Sequence, residues 1–175
     1  MEDSVDKRLI HESQGGYNQY PHQQVSDRDI ESLGLDWMMR NDIPDQLQEK
    51  AYVYNLDRKN GPGTHWTCFG LKFPNIYYVD PFGTGKPHGK PPTELRQWGR
   101  SHGYQMILAN EEDFQHIKSW ACGFYSCYFA IKMNKHHKQL TPENFDRIIQ
   151  KGLTKYPSDH NMSMITQWSQ KHHLL

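Results

Sequence analysis

Cysteine is scarce in this chain: Cys68, Cys122 and Cys127 are all it has in 175 residues, and no two stand in a Cys-x-x-Cys pair. An odd set at these spacings argues against a disulfide framework and against a four-ligand zinc site, and it fits a reducing compartment. Long hydrophobic runs are missing too. No stretch approaches the roughly eighteen apolar residues of a spanning helix, so no passage through a membrane is expected. Excess charge of one sign is also absent, with Lys plus Arg at 20 and Asp plus Glu at 20. That balance speaks against general attraction to nucleic acid and leaves room only for a local basic patch. Met1-Glu2-Asp3-Ser4 lacks the basic-then-apolar pattern of a secretory signal.

Aromatic residues are plentiful, at 13% of the chain. Each buries about 150–250 Å², so Trp, Tyr and Phe should carry much of the core. The length fits one domain with a sizeable core. Residues 1–25 are polar and read as an arm, with a single domain over 26–175. Ser26 with Asp29 reads as a capping box opening a short helix to Leu33. Asp36 to Arg40 reads as a second helical turn. Ala51 to Tyr54 reads as a strand, and Asn60 to Gly63 as a turn. His65 to Phe73 and Ile76 to Val79, joined through Pro74-Asn75, predict an antiparallel hairpin. Residues 81–92 form a Gly/Pro-rich loop, followed by a short helix from Thr93 and a strand from Tyr104 to Ala109. Cys122 to about Lys132 is apolar nearly all round, which predicts a buried central helix. Thr141-Pro142 reads as the opening of another helix, and Ser158 to about Lys171 as the last, with Met162, Ile165 and Trp168 inward. The order of elements predicts an α+β fold, a small mixed sheet packed on the central helix.

Four residues suggest chemistry. A thiol attacks a carbonyl as thiolate and needs a base nearby. Cys122 opens the apolar helix, where unpaired N–H groups and the positive dipole end favour the thiolate. Gly123 after it lets other chain or substrate come close to the sulfur. Cys68, mid-strand, and Cys127, inside the helix, read as packing residues. His65 stands at the start of a strand after a glycine-rich turn, fixed yet able to face a cleft. Asp80 ends the partner strand, so the open end of the hairpin brings the two together. A carboxylate there can accept the imidazole N–H and fix its tautomer. Gln115, seven residues before Cys122, can fold back beside the sulfur. It would then offer one donor to an oxyanion, with the Cys122 backbone N–H as the other.

Gly63-Thr64-His65-Trp66, Tyr78-Val79-Asp80-Pro81-Phe82-Gly83, Gln115 and Ala121-Cys122-Gly123-Phe124-Tyr125-Ser126-Cys127-Tyr128-Phe129 together resemble the adenovirus maturation proteases and the Ulp-type SUMO deconjugases. The order His, acid, Gln, Cys is that family's. The stretch Trp37 to Pro44 is similar to the N-terminal element of such proteases in Maverick-type transposons and virophages. The resemblance implies a cysteine protease with His65 as base, Asp80 as orienting acid, Gln115 in the oxyanion hole and Cys122 as nucleophile. It implies cleavage of capsid precursors at glycine-type sites through a narrow channel, with Trp66 and Trp120 as walls. The implied setting is the virion and the host-cell site of its assembly. Adenovirus members carry Glu where Asp80 stands, whereas Ulp-type members use Asp. They also hold a cysteine upstream of the Gln that tethers an activating peptide. Tyr104 to Phe114 has none, so any activating peptide would bind without a disulfide tether. Those members are basic and take DNA as a cofactor, and the neutral charge here gives no such support. No cofactor, metal or membrane partner is expected.

Two other readings stand beside the maturation protease. One is a deconjugase of a ubiquitin-like modifier, using the same chemistry on another substrate. The other, of a different class, is a non-catalytic capsid or nucleic-acid-binding protein, suggested by the aromatic content and by the pairs His136-His137 and His172-His173. No spaced ligand set accompanies those pairs, which makes them solvated residues rather than metal ligands.

Overall fold

The computed structural model describes residues 24–61, 63–84, 90–115 and 121–174. Its centre is a five-stranded mixed sheet in the order β1-β2-β3-β4-β5. The strands are β1 (Asp36–Met39), β2 (Ala51–Asn55), β3 (Trp66–Lys72), β4 (Asn75–Val79) and β5 (Met106–Ala109). The inner pairs β2–β3 and β3–β4 are antiparallel, and both edge strands join in parallel. Among the described residues five α-helices flank the sheet: α1 (Asp27–Ser32), α2 (Thr93–Ser101), α3 (Cys122–Lys135), α4 (Phe145–Gln150) and α5 (Asp159–Lys171).

Strand alternation sorts the core into two layers. Val53, Cys68, Tyr77 and Val79 point to one face and pack with Phe124, Cys127, Phe129 and Met133 of α3. Tyr52, Tyr54, Phe69, Leu71, Ile76 and Tyr78 point to the other and meet Leu95 of α2. The central helix is buried as its apolar sequence predicts, with Gly123 through Cys127, Phe129, Ala130 and Met133 inside. Phe145, Ile148 and Ile149 of α4 and Met162 and Ile165 of α5 close the layer beneath it.

The α+β expectation and the hairpin hold, with Cys68↔Val79 through Lys72↔Asn75 in register. The Ser26–Asp29 capping box is present, with both reciprocal bonds. Two expectations fail. Asp36 to Met39 is an edge strand and not a helical turn, because parallel pairing with β2 (Asp36↔Tyr52 to Met39↔Asn55) decides a run with no helical period. Thr141-Pro142 does not open a helix either. It forms a turn in which Thr141 Oγ1 accepts from Asn144 N–H at 3.2 Å, and α4 begins at Phe145. Of the expected polar arm, residues 1–23 lie outside the described residues, and Val25 is buried in the core.

Candidate active site

The site gathers where β3 begins, β4 ends and α3 begins. The hairpin register stops at Cys68↔Val79, and His65 and Asp80 both leave the sheet at that open end. His65 Nε2 lies 2.7 Å from Asp80 Oδ1, with both side chains buried. The imidazole also stacks on Phe82, ring centroids 4.5 Å apart and planes within 5°. Asp80 Oδ1 further accepts the Phe82 N–H at 2.9 Å, so the carboxylate holds its own turn and the ring at once. A second bond joins the imidazole to the Cys122 thiol. With Nε2 on Asp80, Nδ1 is the nitrogen left to serve the sulfur.

Burial alone would push the His65 pKa down, but the hydrogen bonds to Asp80 and Cys122 outweigh it and hold the imidazole up at about 9. An imidazole held this way can take the thiol proton and keep it. Cys122 is the first residue of α3, where the backbone N–H has no partner within the helix. Its residue is partly exposed, whereas Cys68 and Cys127 are buried and their thiols are pushed well up by burial.

The approach to His65 is built by side chains that the sequence reading passed over. Asn55, at the end of β2, accepts from Asp57 N–H at 2.8 Å and from Thr64 N–H at 3.2 Å. Asp57 Oδ2 accepts the Gly63 N–H at 2.9 Å. These bonds pin the loop before His65. On the far side, Asn110 grips Asp80. Its Oδ1 accepts the Asp80 N–H at 2.9 Å, and its Nδ2 donates to the Asp80 carbonyl at 2.7 Å. Sequence shows Asn110 only as a polar residue after a strand, and nothing local signals the grip. Phe82 was visible inside the resemblance but without a role.

A cleft of about 330 Å³ opens beside the sulfur. Cys122, Gly123, Trp66, Trp37, Asn55 and Val25 are among its walls. Trp66 meets Trp37 edge to face, centroids 6.2 Å apart. Trp66 and Gly123 line this cleft, and Trp120 lies outside the described residues. A Cβ on Gly123 would fall 2.7 Å from Val25 Cβ and 3.0 Å from Trp66 Cδ1. The close neighbour that needs a glycine is thus the chain's own N-terminal segment. Gln115 is buried, and its N–H donates to the Pro81 carbonyl at 3.0 Å, as the Phe114 N–H does at 2.8 Å. It is tied to the residue after Asp80, and residues 116–120, which lead on to Cys122, lie outside the described residues.

One histidine of each His pair makes a bond to a backbone carbonyl. His137 Nε2 bonds the Leu71 carbonyl at 2.8 Å, and His172 Nδ1 bonds the Trp168 carbonyl at 2.8 Å. Among the described residues no group of three His, Cys, Asp or Glu is placed to hold a metal, and no helix is long and apolar enough to cross a membrane.

The chain matches no protein-family model. It is similar to a protein of Acanthamoeba polyphaga mimivirus that is provisionally named a thiol protease, at 29% identity over 115 residues. The match covers 59% of this chain and 34% of that protein, so the chain spans about a third of the length of the curated relative it matches. Two solved structures overlap more distantly. The ASFV protease does so at a TM-score of 0.40 and 18% identity, over 66% of this chain and 42% of that one. A leucine-deletion variant of AvrA, with IP6 and CoA, does so at 0.45 and 14%, over 88% and 69%. Both overlaps are too distant to carry an assignment.

Proposed function

We propose that this chain is a cysteine protease with Cys122 as nucleophile, His65 as base, Asp80 as the orienting acid and Gln115 as an oxyanion donor. The observation that carries the reading is one buried imidazole bonded both to a carboxylate and to a thiol that opens a helix at a cleft. In the reaction His65 Nδ1 takes the Cys122 proton, and the sulfur attacks the scissile carbonyl carbon. The resulting oxyanion meets the Cys122 backbone N–H and the Gln115 amide. The imidazolium then protonates the departing amine, leaving a thioester. Water, deprotonated by His65, cleaves that thioester and restores the thiol. Asp80 keeps the ring in the tautomer that presents Nδ1 and stabilises its charged form.

The substrates we propose are capsid precursor proteins cut at glycine-type sites during virion maturation, by a protease of virophage or Maverick type. The similarity to a mimivirus protein provisionally named a thiol protease and the cleft beside Cys122, walled by Trp66 and Gly123, support that reading.

Two measurements test it. Iodoacetamide near neutral pH should label Cys122 within the native protein while Cys68 and Cys127 stay unlabelled until unfolding. Equal labelling of the three would remove Cys122 from its role. Capsid proteins of the same virus should then be cut by the wild type and left whole by Cys122→Ala, with the cut located by mass spectrometry. Cleavage by both would assign the activity to a contaminant.

A further inference from the structure

We propose that Asn110 is a positioning residue that locks Asp80 and the segment carrying Gln115 into one clamp. The inference rests on the reading of Asp80 and Gln115 given above.

The parallel ladder of β4 and β5 ends at Tyr78↔Ala109. Beyond it the Asn110 N–H reaches the Tyr78 carbonyl only at 3.4 Å, yet Asp80 must stay fixed for its carboxylate to remain on His65. The Asn110 side chain supplies what the ladder no longer does. Its amide copies a peptide group, accepting from the Asp80 N–H and donating to the Asp80 carbonyl. The same Nδ2 also donates to the Glu112 carbonyl at 2.9 Å, which curls the segment after β5 back towards the turn after β4. From the other side, Thr84 gives its N–H (3.0 Å) and its hydroxyl (2.6 Å) to the Asn110 carbonyl. Pro81 then receives Phe114 and Gln115. Asn110 is buried, 1% exposed, and its two bonds to Asp80 are shut off from bulk water.

Side-chain chemistry at this position is narrow. Aspartate would keep the acceptor but lose both donors, facing two carbonyl oxygens with negative charge. Alanine would leave the Asp80 N–H buried without its partner and the Asp80 carbonyl with the Gly83 N–H alone, at 2.9 Å. Gly83 belongs to the same clamp: its φ is +79°, and a Cβ there would stand 2.7 Å from the Glu111 carbonyl oxygen and 3.0 Å from the Asp113 nitrogen. The two segments touch backbone to backbone, and Asn110 holds them shut.

The test uses two small probes that need no knowledge of the natural substrate. Iodoacetamide reports the thiolate and builds no oxyanion. Para-nitrophenyl acetate acylates the same sulfur through a tetrahedral oxyanion, expelling nitrophenolate. Asp80→Asn should slow both probes by similar factors, and Gln115→Ala only the acylation. Asn110→Ala should slow both, with acylation falling further, by roughly ten- to a hundred-fold. The His65 imidazole, followed by NMR, should titrate lower in Asn110→Ala than in the wild type, because its carboxylate partner has moved. Gly83→Ala wedges the clamp without touching the amide and should give the same pattern if Asn110→Ala does not fold. Thr84→Val, which removes only the hydroxyl bond, should leave the His65 titration where it is. If Asn110→Ala and Gly83→Ala lower Tm yet leave both rates and the titration unchanged, Asn110 is structural only and the inference fails. If Asp80→Asn is itself without effect on either probe, the reading of the site fails first.

Discussion

A single imidazole carries two bonds at this site, and the division of labour between its neighbours can be separated by experiment. On the proposed reading, thiolate formation depends on His65, Asp80 and the helix end. Oxyanion stabilisation depends on donors that matter only once the carbonyl has been attacked. Gln115→Ala should therefore lower acyl transfer by about 10²–10³ in kcat while KM stays nearly unchanged. The alkylation rate of Cys122 should remain at the wild-type level on the same preparation. Gln115→Glu should be worse than alanine in acyl transfer, because a carboxylate repels the developing charge. Unchanged turnover in Gln115→Ala would take the residue out of the site, and parallel loss of both rates would place it in folding or thiolate formation. At this scale the sequence made the places of His65, Asp80 and Cys122 in the candidate site legible, since strand ends and a helix start are local features. Asn110, Asn55 and Val25 were not legible. Each acts across space on a residue at least nine positions away, counting Thr64 for Asn55, and none stands in a pattern of its own.

Elements differ in how far their sequence determines them. The β3–β4 hairpin and α3 are legible because their signals are local: a tight connection, alternating burial, and an apolar surface all round. Strand β1 is not, since four residues show no period and only pairing with β2 makes them extended. Start sites suffer in the same way, as Thr141 shows by capping a turn ahead of α4. The most consequential packing between elements is that of the N-terminal segment on the first turn of α3. Val25 and Trp66 both lie against Gly123. Gly123→Ala would put a methyl 2.7 Å from Val25 Cβ, an atom fixed to the backbone, so the segment itself must shift. We expect a loss of about 1–3 kcal/mol in urea unfolding. Pairing it with Val25→Gly, which removes the obstructing Cβ, should recover part of that loss as a coupling energy. Purely additive effects of the two changes would show that the segment is not seated against the helix.

Over the whole molecule, the dominant titration shifts point one way, and stability against pH follows from them. His65 is held at about 9 against an ordinary value of 6.5. Burial also raises Cys68, Cys127 and the phenols Tyr54 and Tyr78. In every one of these the folded state keeps its proton to higher pH than the unfolded chain does. Their contribution is full below the unfolded pKa and is lost as pH rises through the folded one. Lys132 opposes them: burial first, then Lys151, lowers its pKa to about 8, so the term it adds grows as pH rises above that value. A bare pH–stability curve therefore mixes groups of both signs, and a difference between two proteins is needed to isolate the site. His65→Gln removes one titration and leaves the thiols, phenols and Lys132 in place. The unfolding free energy of wild type minus His65→Gln should be largest near about pH 6. It should shrink by on the order of 3 kcal/mol towards about pH 10, at roughly 1.4 kcal/mol per pKa unit. Denaturant titrations in reducing buffer at several pH values measure it directly. The same subtraction on an Asp80→Asn background should be much flatter, because the first bond that raises the imidazole is gone. A difference that is already flat with Asp80 in place would mean that the bonds to Asp80 and Cys122 do not hold the ring's proton, and the catalytic assignment would lose its electrostatic basis.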